Sequence, residues 1–198
     1  MHPAVIMNAE AIQRTLDRMA HEIVERYIHE IHAAIFVGIR TRGVPLSHRL
    51  THRLEHIIGK RPLTGVLDIT LYRDDLTQIG PAPLVRKTEL PLQSVQNHSI
   101  FLVDDVLYTG RTVRAALDAL IDFGRPQSVR LVVLIDRNHR ELPIQADIVG
   151  RFVPTAREQI VHVMLKETDG KDEILLLPGV KHAKDTDKNR KEEHGESF

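Results

Sequence analysis

Two adjacent acids, Asp104 and Asp105, stand at the end of an apolar run, and Thr109-Gly110-Arg111-Thr112 follows shortly after. Neighbouring carboxylates suit a sugar, because vicinal hydroxyls need acceptors side by side and a carboxylate accepts strongly from O–H. A carboxylate near a breaking glycosidic bond also favours the positive charge that develops there. The Thr-Gly-Arg-Thr segment suits a phosphate. At a helix start the free backbone N–H groups and the helix dipole attract an anion. Gly110 lets the backbone approach closely, and the threonine hydroxyls add donors. An isolated Asp-Asp pair would be read as a solvated strand end. The whole run from Val103 through Asp104, Asp105, Val106, Leu107 and Tyr108 to Thr112 places a sugar site and an anion site in one loop.

A second loop, Gly38-Ile39-Arg40-Thr41-Arg42-Gly43, carries two arginines around a threonine between glycines. Backbone amides and planar guanidinium donors there can reach a second phosphate group, although a basic surface turn reads equally well. Arg73 and Arg86 lie in a long segment and could neutralise phosphate oxygens, or be solvated surface arginines. Arg14, Arg18 and His21 share a helix face by spacing. His48, His52 and His56 do so as well; with no acid or cysteine cluster beside them, a solvated face is the better reading than a metal site.

The elements that must position these groups alternate. Residues 8–32 read as a helix capped by Asn8, with Glu10 in its first turn and Ile12, Leu16, Met19, Ile23 and Tyr27 on one face. Ala34–Ile39 reads as a buried strand. Pro45 then opens a helix that buries Leu46, Leu50, Leu54 and Ile57. Gly65–Leu71 and Ser99–Val103 read as strands. Gly110–Phe123 reads as a helix with Ala116, Leu117, Leu120 and Ile121 inward, stopped by Gly124. Val129–Ile135 is the clearest strand, and shorter ones are expected at Ile148–Val153, Ile160–Leu165 and Glu173–Leu177.

The pattern predicts an α/β fold with a mainly parallel sheet and helices on both faces. Residues 72–93, with Gly80, Pro81, Pro83 and Pro91, read as an excursion able to act as a lid. Residues 1–180 then form one domain, and the polar stretch 181–198 a disordered tail.

Composition excludes several classes. Acidic and basic residues balance at 27 each among 198 residues, so nothing marks a dedicated nucleic-acid binder. There is no cysteine, hence no disulfide or thiolate chemistry. No apolar run approaches the roughly 18 residues a membrane helix needs, and the start lacks signal-peptide character. A cytoplasmic location is the default expectation.

The Val103–Thr112 run resembles the signature of type I phosphoribosyltransferases. Together with Asp68–Leu76 and Asp136–Ile144 it is more specifically similar to the bifunctional pyrimidine-operon regulators and uracil phosphoribosyltransferases, over about residues 5–165. The resemblance implies a type I phosphoribosyltransferase fold with a flexible hood near 72–93. It implies that uracil and 5-phosphoribosyl-1-pyrophosphate give UMP and pyrophosphate, with Mg²⁺ carried by the substrate. Arg40, Thr41 and Arg42 would then form the pyrophosphate loop, and uracil would sit near Ile135, Asp136, Arg137 and Val161. No general base stands out. The resemblance also implies binding of pyrimidine-operon leader mRNA when UMP or UTP is bound, through Arg14, Arg18, His21, Arg140 and Arg151, in a homodimer or higher homo-oligomer. Four positions depart from the pattern: Asp17 for threonine, Asn138 for glycine, Gln145 for arginine and Phe152 for asparagine. A lost cation or an added acid weakens attraction to a phosphate backbone. A regulator with little catalysis and a purine phosphoribosyltransferase are the competing readings.

Overall fold

The computed structural model describes residues 3–74 and 87–179. In chain order the elements are β1 (Ala4–Asn8), α1 (Ala9–Ile31), β2 (Ile35–Ile39), α2 (Gly43–Ile58), β3 (Leu63–Leu67), β4 (Ser99–Leu107), α3 (Arg111–Ile121), β5 (Ser128–Asp136), β6 (Ile148–Phe152), β7 (Ile160–Met164), α4 (Lys166–Asp169) and β8 (Glu173–Leu177).

Five strands form a parallel sheet in the order β3-β2-β4-β5-β6. Its strands read as unbroken apolar runs because both faces are covered. Phe36, Phe101, Val103, Val132 and Leu134 point to one face, under α1 and α2. Ile35, Val37, Ile39, Ile100, Leu102 and Val133 point to the other, under α3. The chain moves outward from β2 to β3, then returns to place β4 on the other side of β2. In open α/β sheets that reversal opens a crevice at the carboxyl ends of the two central strands, and ligands bind there. The Arg40–Arg42 and Tyr108–Gly110 loops leave those two ends.

The N-terminus of α1 is held as the sequence predicts, with Asn8 Oδ1 accepting from Ala11 N at 2.9 Å. Other expectations need correction. Ala4–Asn8 is a strand that periodicity over so few residues did not reveal. Helix α2 starts at Gly43, ahead of Pro45, and Ile57 is exposed; Ser47 and Thr51 are buried instead. Their hydroxyls donate to Val44 O and His48 O within the helix, which removes the cost of burying them. Strand β3 stops at Leu67, because Asp68 Oδ1 accepts from Thr70 N at 2.8 Å and turns the chain into a short 3-10 segment, Thr70–Tyr72. Strand β4 runs through both acids to Leu107. Ile121 is exposed, and Val113, Ala115 and Ala119 join Ala116 and Leu120 in packing α3 on the sheet.

A second sheet, β1-β8-β7, is antiparallel and joins the two ends of the described chain. It is the hood of this fold. Its connections reach the carboxyl end of the parallel sheet, where Tyr108 Oη donates to Arg157 O at 3.1 Å. The segment 72–93 expected to supply the hood is described only at its ends. Its return is pinned by Glu89, which bridges antiparallel to Val66. Residues 75–86, including Arg86, and the tail 181–198 lie outside the described residues. No helix among the described residues is long and apolar enough to cross a membrane.

Candidate active site

Asp104 lies on β4 opposite Val133 of β5, and it is buried. Burial pushes its carboxyl well above the usual range, and the neighbouring Asp105 charge adds to the effect. Burial also raises Asp105, opposed by the hydrogen bond from Asp104 and by the charge of Arg42. Asp104 Oδ1 accepts from Asp105 N at 2.9 Å, and Asp105 Oδ1 from Val106 N at 2.9 Å. Among the described residues neither acid forms a salt bridge. Asp104 is buried, Asp105 half-buried, and with no salt bridge to either carboxylate the pair gains from any ligand that brings hydroxyl donors.

The anion site adjoins them. Gly110, at φ +93°, turns the chain into α3, a conformation that only glycine adopts cheaply. Gly110 has no side chain to cap α3 and Thr109 Oγ1 accepts from Arg111 N only at 3.4 Å, so the next N–H groups of the first turn face the loop. Thr109, Arg111 and Thr112 line a 210 Å³ cavity with Arg73 and Asp74. Arg111 is shared between Asp74 and Glu141, both at 2.9 Å, which fixes its guanidinium at the rim. Thr109 O accepts from Glu141 N and Leu142 N, tying the loop to the segment after β5.

The β2–α2 loop sits directly on β4. A Cβ at Gly43 would come within 2.3 Å of Val103 O, so only glycine permits this approach. The peptide between Arg40 and Thr41 is cis. Arg40 donates to Lys87 O at 3.1 Å and lies 4.0 Å from Asp68. Arg42 makes a two-pronged pair with Asp169 of the hood, at 3.2 and 2.8 Å.

The proposed base site is more structural than expected. Arg137 is buried; it donates to Thr155 Oγ1, Ala156 O and Gln159 O, and its guanidinium stacks 3.9 Å over the Tyr108 ring. Burial lowers its pKa. Val161 and Ile135 are in the core, and Asp136 holds Asn138 N and Arg140. Any contact with a base at Arg137 or Val161 therefore runs through backbone groups. Asn138 adopts φ +57°, the left-handed conformation in which the expected glycine would be at ease and which asparagine tolerates best among the others.

The five basic residues of the RNA reading separate. Arg14, Arg18 and Arg151 meet around a 300 Å³ groove where α1 crosses β6. Arg14 pairs with Glu10; Arg18 pairs with Glu22 at 2.9 Å and donates to Val149 O and Gly150 O; Arg151 donates to Ile6 O at 2.8 Å. His21 is exposed on α1 outside the groove lining. Arg140 turns inward, to Ile144 O, Tyr108 O and Asp136. It borders a separate 520 Å³ cavity with Gln145 and Phe152. His48, His52 and His56 are exposed on α2. No group of three or more His, Asp or Glu among the described residues is arranged to hold a metal. Sequence reasoning missed Asp74, Glu141 and Asp169; each acts through a long-range pair that local spacing does not reveal.

Fold and site together define a phosphoribosyltransferase. A model of the phosphoribosyl transferase domain matches residues 5–168. The solved hypoxanthine phosphoribosyltransferase of Trypanosoma cruzi superposes with TM-score 0.66 over 89% of this chain and 97% of its own, at 19% identity, which speaks for the fold alone. The counterpart from Staphylococcus aureus gives TM-score 0.65 at 20% identity, over 88% of this chain and 92% of its own. Two curated relatives, each named bifunctional protein PyrR, are much more similar. The one from Elusimicrobium minutum is 54% identical over 87% of this chain and 96% of its own length. The one from Thermus thermophilus is 56% identical over 87% and 94%. This chain belongs to the PyrR family of phosphoribosyltransferases.

Proposed function

We propose that the protein transfers the phosphoribosyl group of 5-phosphoribosyl-1-pyrophosphate to uracil, giving UMP and pyrophosphate, and that it also regulates pyrimidine-operon transcription through leader mRNA. The observation that carries the first half is the Asp104–Asp105 pair, the first buried and the second half-buried, beside the uncapped start of α3. The ribose hydroxyls supply the donors the acids lack, and the 5′-phosphate takes the Thr109–Thr112 turn. As uracil N1 bonds to C1′ and the bond to pyrophosphate breaks, the carboxylates stabilise the developing positive charge. Arg40, Thr41 and Arg42 receive the pyrophosphate, with Arg73 and Arg86 as further phosphate contacts. Mg²⁺ arrives on the substrate and offsets its charge. Positioning and electrostatics carry the rate, as no general base stands out in the sequence or among the described residues.

We read residues 1–180 as one working unit in a homodimer or higher homo-oligomer, in the cytoplasm where its nucleotide substrates are. The Arg14, Arg18 and Arg151 groove supports the regulatory half, as three cations converge there from two elements. Arg140 would contribute away from the groove, by holding the loop after β5 to Tyr108 O and Ile144 O, and His21 by lying along the same helix as Arg14 and Arg18.

Purified protein with Mg²⁺ and phosphoribosyl pyrophosphate should form UMP from uracil. A panel adding hypoxanthine, guanine and orotate tests the base. Turnover of a purine with none of uracil would replace the reading. Binding to its own leader RNA should rise with UMP and fall steeply with salt; indifference to UMP would remove the regulatory half.

A further inference from the structure

We propose that Asp169 is a positioning residue for the pyrophosphate end of the reaction: it fixes Arg42 so that the guanidinium faces the acids at the end of β4. The proposal rests on the phosphoribosyltransferase reading above. Arg42 leaves β2 at the loop that covers Val103, whereas Asp169 closes α4 in the hood, far away in sequence. Their contact uses Arg42 Nε and Nη2, the fork geometry that carboxylates match best. Nη1 keeps its two N–H groups without a partner among the described residues. The Arg42 charge also reaches Asp105, whose ionised form it favours.

Asp169 is itself held firmly. Its Oδ2 accepts from Leu165 N at 2.9 Å and from Thr168 Oγ1 at 2.6 Å. The hydrogen bonds from Arg42 first, then Thr168, hold its carboxyl well below the usual range, so it stays ionised at any working pH. The whole α4 segment is anchored to α2 a second time. Arg49 grips Glu167 at 2.8 and 2.5 Å and Asp172 at 2.9 and 2.7 Å. The hood connection therefore works as a rigid bracket from α2 back to the loop that precedes it. An arginine held in one rotamer loses less entropy on meeting a ligand than a free one. That advantage appears only when pyrophosphate or its ester is bound.

The test is calorimetric titration of magnesium pyrophosphate and, separately, of UMP into four proteins: wild type, Asp169→Asn, Arg42→Ala and the double variant. Asp169→Asn should weaken pyrophosphate roughly fivefold to tenfold, about what freeing one long side chain costs, and leave UMP binding unchanged. In the Arg42→Ala background the same change should have less than about a twofold effect, because Asp169 acts through Arg42. Kinetically, the KM for phosphoribosyl pyrophosphate should rise while that for uracil holds. Unchanged pyrophosphate affinity in Asp169→Asn overturns the proposal, and so does tighter binding, which would make the pair an autoinhibitory latch. An equal loss in the Arg42→Ala background, or a parallel loss of UMP binding, would mark Asp169 as merely structural. Failure of the wild type to bind pyrophosphate sinks it too. If the wild type makes no UMP yet pyrophosphate binding follows the expected pattern, the enzyme reading falls and the positioning role stands.

Discussion

The end of β4 and the groove between α1 and β6 both offer charge to a phosphorylated ligand, but they hold it in opposite ways. At β4 the charged groups are two carboxylates, Asp104 buried and Asp105 half-buried, with no salt-bridge partner among the described residues and the Arg42 charge reaching only Asp105, next to a helix start without a cap. At the groove each arginine already has an intramolecular partner, an acid or a backbone carbonyl, and all lie near the surface. The first arrangement stores unfavourable electrostatics that a specific ligand relieves. The second stabilises the ligand-free protein, and on the regulatory reading proposed above its partners would yield to an RNA phosphate by exchange. Exposed pairs of that kind contribute about 0–1 kcal/mol each, so exchange costs little. A demanding, geometrically fixed site and an adaptable, salt-sensitive surface thus coexist on one sheet.

The sharpest way to break this comparison is to neutralise the acids. Asp104→Asn with Asp105→Asn should lower kcat for UMP formation by about 10²–10³-fold, the scale of removing one charge-stabilising group. The same change should raise the melting temperature of the ligand-free protein by about 2–4 °C if it recovers on the order of 1 kcal/mol. The sign follows from linkage. Both carboxyls titrate above their ordinary value in the folded protein, so the folded state holds their protons more tightly than the unfolded chain. The stability this confers is fully present below the ordinary aspartate pKa of about 3.9 and is lost as pH rises through the raised values. The double variant should flatten that stretch of the stability–pH curve. A variant that is inactive but melts lower than wild type would mean that the acids are structurally content, and the contrast with the groove would vanish.

Next in size is Gly43→Ala. A Cβ there meets Val103 O at 2.3 Å, backbone against backbone, so the loop must lift off β4. A cost of about 2–4 kcal/mol in chemical denaturation is expected, with pyrophosphate affinity lost in parallel. A neutral result would show that the loop is free to move, and that the fixed site is less fixed than its packing suggests.

On the other side of the comparison, Arg18→Ala should weaken leader-RNA binding about tenfold at moderate salt and reduce the slope of log K against log salt by about one. Catalysis should be unaffected. If UMP formation falls as well, the groove and the site are not separable surfaces.

How legible these regions were from sequence follows the same division. The β4 unit could be read because its parts are contiguous: apolar run, acids, threonine-glycine turn and helix lie within one stretch. The alternation of strands and helices was legible because both faces of the sheet are buried, which leaves long apolar runs. Strand β1 was missed because five residues with an exposed first half carry almost no period. Ile57 and Ile121 were misjudged as inward because both fall near the last turn of a helix, where the apolar stripe has already rotated off the sheet. Arg140 was placed on the RNA surface by family likeness, yet its guanidinium is taken by Tyr108 O, Ile144 O and Asp136. Pairs such as Arg42–Asp169 join residues far apart in the chain, and no local pattern announces them.

Asp17 gives the smallest and most discriminating effect. By sequence it adds a negative charge beside the basic strip and should repel RNA. In the structure Arg53 Nε donates to Asp17 Oδ1 at 2.5 Å, and Arg53 bonds Gln13 and Arg49 O as well. The acid is therefore largely neutralised before any RNA arrives, and what it removes is the use of one arginine. Asp17→Thr should then raise leader-RNA affinity by no more than about threefold, the size of releasing one exposed ion pair. Catalysis and melting temperature should barely move. A gain above about tenfold in a filter-binding titration would show that the Asp17 charge acts on the RNA at full strength. The groove would then be governed by unscreened charge, as the β4 site is, and the distinction between the two regions would rest on burial alone.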